Sequence, residues 1–307
     1  MAAAAAGRQG ALRRPGTIAN PGLPETEGLA NQPYQPTSRT QTLAKTGVRA
    51  AAARSPPHPQ NNPTEQPKTL TPPPGAPRIA AIMPDQAILL LSGGMDSTTL
   101  LYHLRHTAPN TALHTLSIDY GQRHRVELDF AAQLSKRCGA ASHRVLPLDL
   151  RPIGGSPLTD PDLNLPAAAE GAQIATVVPF RNMLFVTLAA ACGETLGAHD
   201  IFLSPVLDDY EAYRDCRRDF YDGLESALRL GATHDTPFHI HTPLVHRTKA
   251  DVVALGLQLG VPYELTHTCY AGTRPACGVC DACSERLTAF AVNNTPDPLD
   301  YSLDYRS

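Results

Sequence analysis

At 307 residues, 42% of them hydrophobic, with a formal net charge of −3, the chain is long enough for one large or two small domains. The charge is uneven: residues 1–82 hold nine Lys/Arg against Glu25, Glu27 and Glu65, leaving 17 basic and 26 acidic residues beyond them. An acidic body argues against strong non-specific nucleic-acid binding, and no apolar run approaches the ~18 residues of a membrane span, so a small-molecule substrate is expected, with no membrane and no stable nucleic-acid partner.

Residues 1–82 contain fourteen of the 29 prolines and no hydrophobic periodicity, a composition that favours extended, solvated backbone over a packed domain. The Arg-rich start shares the charge of a transit peptide, but its prolines spoil an amphipathic helix. Met83, just ahead of the first strand, is the alternative start of the chain. The folding domain is expected over 83–307. All seven cysteines lie at or beyond Cys138. With no secretory h-region at the N-terminus, a reducing cytoplasm is the expected setting, in which clustered cysteines mean metal more often than disulfide.

The first element is the apolar run 87–91, read as a buried strand. It leads through Ser92-Gly93-Gly94-Met95-Asp96-Ser97 into a helix over 97–107. A strand, a Gly-Gly turn and a helix N-terminus make an anion cradle: the first helical amides lack partners, and glycine lets the backbone approach phosphate oxygens. Ser92 and Ser97 offer hydroxyls, and Asp96 is placed either to cap the helix or to help hold Mg²⁺. The Walker A Gly-Lys-Ser/Thr and the third glycine of the dinucleotide fingerprint are both missing.

A second strand is expected over 112–118, then a helix carrying Val126, Phe130, Ala131 and Leu134. A strand over 142–148 precedes a Pro/Gly-broken stretch, 151–177, longer than ordinary loops and read as a lid or substrate loop. A helix over 181–196, a strand over 201–204, a helix through 220–230, a strand over 238–242 and a helix over 248–259 follow. Strands alternating with helices of this length predict an α/β fold, a doubly wound parallel sheet with ligands at the carboxyl ends of its strands. A homodimer is expected.

The last segment is Cys269-x7-Cys277-x2-Cys280-x2-Cys283. Four soft ligands suit tetrahedral Zn²⁺ and leave no position for water, which makes the site structural. An iron–sulfur cluster and free or redox-active thiols are the competing readings. Cys138 and Cys192 read as inert core residues on apolar helix faces.

The pattern Ser-Gly-Gly-x-Asp-Ser resembles the PP-loop of ATP pyrophosphatases, which implies that Leu91, Ser92, Gly93, Gly94, Met95, Asp96, Ser97, Thr98, Thr99, Leu100 and Leu101 form the ATP-binding segment. Loop and cysteines together resemble the 7-cyano-7-deazaguanine synthases of queuosine biosynthesis. Also similar are Asp119-Tyr120-Gly121-Gln122-Arg123-His124, Pro179-Phe180-Arg181-Asn182, Tyr213-x-Asp215-Cys216-Arg217, Thr248-Lys249-Ala250-Asp251, Thr268-Cys269-Tyr270 and Asp297-Pro298 with Tyr301. The resemblance implies ATP-dependent conversion of 7-carboxy-7-deazaguanine and ammonium to the nitrile, through an adenylated carboxylate and an amide. Arg181 and Lys249 are then the candidate cations for pyrophosphate, against a reading as surface helix charges. Arg123 and His124 face pyrophosphate or substrate, or merely a solvated turn. Asp215 binds Mg²⁺ or the base, or pairs with Arg217; Tyr213 and Arg217 complete the substrate candidates.

The chain departs from the family pattern at Val206, Glu211, Ala212 and Arg214, where Asn, Ser, Gly and Pro are usual. These changes bear on the acid substrate, and stopping at the amide or using a related acid stays open. A PP-loop tRNA thiolase using Cys216 and a non-enzymatic ATP sensor are the rival functions.

Overall fold

The computed structural model describes residues 84–169, 172–210 and 213–302. The expected extension 1–82, the alternative start at Met83 and the departures at Glu211 and Ala212 lie outside the described residues.

Five strands, β1 (Gln86–Leu90), β2 (Ala112–Asp119), β3 (Ser142–Pro147), β4 (Asp200–Phe202) and β5 (His239–His241), form one parallel sheet in the order β3-β2-β1-β4-β5. Residues 87–90 of central β1 are an unbroken apolar run because both faces of the strand are covered. Ala87 and Leu89 pack in a cluster with Leu100, Leu101 and Leu104 of α1 (Met95–Thr107), Phe130 and Leu134 of α2 (Glu127–Arg137) and, beyond the four-residue α3 (Ala172–Ala175), Val252 of α6 (Lys249–Gln258). Ile88 joins Val186 and Ala189 of α4 (Arg181–Leu196) and Tyr221 and Leu224 of α5 (Arg218–Gly231) in a second cluster. Strand order reverses between β1 and β4, which opens a crevice at their carboxyl ends.

The doubly wound sheet expected from the alternation of elements is present, with local differences. β4 and β5 stop short of the expected 204 and 242, where Ser204-Pro205 and Thr242-Pro243 turn the chain away. α1 starts two residues earlier than expected, at Met95. Cys138 follows α2 as its C-cap and Cys192 lies in α4; both are half-buried. The stretch 151–177 is tethered: Ser156 and Leu158 are buried, Ser156 Oγ donates to Thr176 O (3.2 Å), and Ala168 N donates to Val279 O (3.0 Å).

A further helix, α7 (Asp281–Val292), begins inside the cysteine cluster and packs on α6. Its apolar stripe is interrupted by Arg286, which is 1% exposed and forks onto Asp297 (Nε–Oδ2 2.7 Å, Nη2–Oδ1 2.9 Å) while donating to Thr266 Oγ1 (2.6 Å) and Tyr263 O (3.1 Å). A buried charge with this many partners is tolerated and pins the C-terminal segment to the domain.

Candidate nucleotide-binding site and cysteine centre

The loop after β1 is built by its own hydroxyls. Ser92 Oγ accepts from Gly94 N (3.1 Å) and lies 3.0 Å from Ser97 Oγ, which accepts from Ser92 N (3.3 Å). Thr98 Oγ1 donates back to Gly94 O (2.7 Å). Ser97 is buried and engaged within the loop, so of the two serines expected to offer hydroxyls Ser92 is the exposed one. Gly93 has φ +88°, and a Cβ there would sit 2.2 Å from Glu127 O, so only glycine lets the loop pack against the first turn of α2. The N-cap of α1 is Gly94, which has no side chain to satisfy the helix amides. Of the two readings of Asp96, the cap does not apply: Asp96 lies inside the first turn, and the positive helix end stays open toward the crevice.

A cavity of about 270 Å³ lies at these carboxyl ends. Of the candidate residues singled out in the sequence, Leu91, Ser92, Gly94, Met95, Asp96, Ser97, His124, Arg181, Tyr213, Cys216 and Lys249 line it. Thr98 and Thr99 are fully buried, Thr99 Oγ1 bonding Met95 O (2.9 Å) and Tyr263 OH (2.8 Å); Leu100 and Leu101 belong to the core behind the loop.

Lys249 is the centre of the charged wall. It is 9% exposed, opens α6, pairs with Asp209 (3.3 Å) and with Glu285 of α7, and its amide donates to Asp208 Oδ2 (2.7 Å). Burial opposes its charge, but Asp209, Glu285 and Asp96 outweigh burial and hold its pKa well above the ordinary lysine value. It is a buried ion-pair lysine, and the surface-charge reading does not apply. Asp96 has its pKa pushed up to about 7 by burial, with Asp209, Glu285 and Asp208 acting in the same direction and Lys249 against it. Its Oδ1 is buried with no hydrogen-bond partner among the described residues. A buried carboxylate oxygen left over beside an acidic wall fits a hard divalent cation such as Mg²⁺.

Arg181 opens α4 on the opposite wall, its guanidinium 5.8 Å from the Tyr120 ring centroid and its Nη1 donating to Tyr120 OH (3.4 Å). His124 is 6% exposed and kept neutral, its pKa pushed down to about 3 by burial and by Arg181. Neither residue is a solvated surface group. Of the catalytic and substrate candidates, three stand outside the cavity lining. Arg123 donates to Asp160 O (2.9 Å) and Leu163 O (2.8 Å), fastening the 151–177 stretch. Asp215 accepts from Asn182 N (3.3 Å) at the start of α4. Arg217 donates to Tyr210 O (3.0 Å) and stacks on that ring, and no Asp215–Arg217 ion pair occurs among the described residues. Of the departures, Val206 is fully buried in the core and Arg214 is exposed; neither lines the cavity.

Sequence reasoning missed Glu285, Asp209 and Glu127. Glu285 lies on the unassigned helix α7, Asp209 falls in the departing segment, and Glu127 reads as an ordinary first-turn helix acid.

The four sulfurs of Cys269, Cys277, Cys280 and Cys283 lie within 4.8 Å of one another, Cys277 and Cys283 at 3.9 Å. Four sulfurs at about 2.3 Å from one metal stand about 3.8 Å apart, so the cluster fits a tetrahedral thiolate site with no open position. The strand of chain leading into it reaches the loop directly, His267 N donating to Gly93 O (3.0 Å).

The family model described as "Queuosine biosynthesis protein QueC" matches residues 86–294. A 7-cyano-7-deazaguanine synthase of Clostridium kluyveri is 40% identical over 222 residues, covering 70% of this chain and 97% of that protein. Synthases of the same name from Nitrosococcus oceani (42%, 70% and 98% covered) and Anaeromyxobacter sp. (44%, 70% and 96% covered) are similar over the same extent. With a family match across most of its length, a parallel sheet carrying the PP-loop at its switch point and four converging cysteines, the chain belongs to the QueC family of 7-cyano-7-deazaguanine synthases.

Proposed function

We propose that this protein is an ATP-dependent ligase that converts 7-carboxy-7-deazaguanine and ammonia to 7-cyano-7-deazaguanine. One observation carries the reading: in a chain of this family, an uncapped helix N-terminus faces a cavity walled by Asp96, Lys249 and Arg181. A carboxylate resists ammonia until one of its oxygens attacks the α-phosphorus of ATP and pyrophosphate departs. Ammonia then displaces AMP to give the amide. The amide oxygen attacks a second ATP, and loss of AMP with the nitrogen's protons leaves the nitrile.

In this reading the α1 amides and the loop backbone take the charge of the departing pyrophosphate, the preorganised stabilisation that such transfers require. Arg181 supplies positive charge from the opposite wall. Lys249 keeps Asp209, Glu285 and Asp96 from repelling one another. Asp96 would hold Mg²⁺, which when bound neutralises phosphate charge. The four cysteines would hold Zn²⁺ in a structural role, tying α7 and the tail to the loop.

Cys216 weighs against a thiolase. Its thiol is buried beside Asp209 and Asp215 and its pKa is pushed up to about 12, the reverse of what a sulfur nucleophile needs. The burial of Val206 away from the cavity favours the family's acid over a related one. Among the described residues no helix is long and apolar enough to cross a membrane. A cytoplasmic setting belongs to the reading, supported by seven unpaired cysteines, as does a homodimer, which sedimentation would test.

The test is incubation of the full chain with ATP, Mg²⁺, ammonium and 7-carboxy-7-deazaguanine, following AMP and base products by mass. Transient amide, final nitrile and one AMP per step are expected. ATP binding without AMP release would point to the sensor, amide as the end product to a one-step ligase, and sulfur transfer to tRNA that depends on Cys216 to the thiolase.

A further inference from the structure

Both nitrogen steps of this reaction shed protons. On the phosphate side Glu285 is paired with Lys249, and Asp96 is the carboxyl assigned above to Mg²⁺. Another carboxyl in the cavity lining is Glu127, which is 8% exposed and opens α2. Its position is imposed by the fold, because Gly93 of the nucleotide loop packs on the Glu127 carbonyl so closely that a Cβ could not fit.

The surroundings orient the carboxyl. Gln122 Oε1 accepts from Tyr120 N (2.8 Å), so the Gln122 amide group must point its Nε2 at Ile118 O (3.3 Å) and at Glu127 Oε1 (3.1 Å). Oε1 is thereby committed as an acceptor. Oε2 makes no hydrogen bond among the described residues and is not sealed in the interior, which leaves it as the oxygen able to take a proton. His124 Nε2 lies 3.5 Å from Oε1 and 3.4 Å from Tyr120 OH, and Arg181 donates to that same hydroxyl. A helix N-terminus favours an ionised carboxylate, yet here burial prevails over Gln122 and Arg181 and pushes the Glu127 pKa up to about 8. A base poised near the working pH suits proton abstraction.

We propose that Glu127 is the base that takes protons from the reacting nitrogen, with Gln122 and His124 as its positioning residues. The inference rests on the proposed synthase activity. In amide formation the nitrogen lone pair forms the C–N bond, Glu127 Oε2 takes an N–H proton, and the C–O bond to AMP breaks with its electron pair. In nitrile formation the adenylated amide loses both N–H protons through Oε2 in turn: the first leaves the neutral imidate and passes to solvent, and removal of the second turns its N–H electrons into the third C–N bond while the C–O bond to AMP breaks with its electron pair. The proton returns to solvent through the open cavity. Adenylation needs no such base.

The two roles separate in the second half-reaction, which uses no ammonium. Wild-type protein and Glu127→Gln are given 7-amido-7-deazaguanine, ATP and Mg²⁺. Exchange of labelled pyrophosphate into ATP reports adenylation, and mass spectrometry reports nitrile. Glu127→Gln keeps the acceptor for Gln122, so it is expected to retain exchange within about threefold while nitrile formation falls about a hundredfold or more. The ascending limb near pH 8 in the wild-type nitrile rate disappears in the variant, the titratable neighbours His124, Tyr120 and Arg181 remaining in place. If Glu127→Gln does not fold, Glu127→Asp, which withdraws the carboxyl by one methylene, carries the same comparison. Nitrile formation within threefold of wild type, exchange lost in step with nitrile, or an unchanged pH limb would overturn the assignment. Wild-type protein that neither exchanges pyrophosphate nor makes nitrile overturns the synthase reading itself.

Discussion

Lys249→Met deletes one ammonium and keeps most of the stem's volume, so it isolates what the charge does. The lysine is 9% exposed and holds Asp209 and Glu285 directly, with Asp96 and Asp208 close enough to feel the cluster. Removing one partner of a buried ion pair costs about 3–5 kcal/mol, because the orphaned charges stay desolvated. In a domain of this size each kcal/mol shifts the melting temperature by about 2–4 °C, so a fall of roughly 6–20 °C is expected near pH 8. Asp96 and Glu285, already raised by burial and opposed only by the lysine, respond by binding protons more readily still. Groups shifted upward in this way destabilise the fold above their folded pKa, and the loss fades as pH falls toward the unfolded value. The deficit should therefore shrink markedly near pH 5. Calorimetry of both proteins at the two pH values, with pyrophosphate release measured alongside, checks this. A melting temperature within about 2 °C of wild type at pH 8, or a deficit of equal size at both pH values, would refute the argument that Lys249 neutralises a buried acidic wall.

Asp96→Asn should lower AMP release about a hundredfold, roughly 2.7 kcal/mol of transition-state stabilisation, without lowering the melting temperature at neutral pH; normal AMP release would remove Asp96 from the chemistry. Gly93→Ala forces a Cβ against rigid α2 backbone at positive φ, so a loss of about 3 kcal/mol or more and weakened ATP binding are expected; wild-type stability and ATP titration would show that the loop can shift. Cys280→Ser should abolish stoichiometric metal and much of the fold with it, since structural zinc is worth about 10 kcal/mol or more; a variant that is metal-free by elemental analysis yet melts like wild type would refute a structural centre.

Local signals made much of this molecule legible from its residues. The run 87–91, buried on both faces, and the alternation of later elements determined a doubly wound parallel sheet, because an apolar strand and an amphipathic helix have few ways to bury their surfaces together. The Gly-Gly turn is a local requirement, and the cysteine spacing brings four sulfurs together over a short stretch of chain. What the sequence left open were properties that depend on distant partners. Asp96 could be read as a cap or a metal ligand until the fold placed Gly94 at the N-cap and left Oδ1 unpaired in an acidic wall. Asp215 and Arg123 looked like ligands, but Asn182 and the carbonyls of Asp160 and Leu163 hold them, 33 to 40 residues away in the chain. Helix α7 was hidden because Arg286 interrupts its apolar stripe, and that charge becomes tolerable in the core only when Asp297 forks onto it. A pKa, an ion pair and the lining of a cavity are set by burial and by groups remote in sequence. Only the tertiary structure could bring Lys249 to Glu285, and Gly93 to the carbonyl of Glu127.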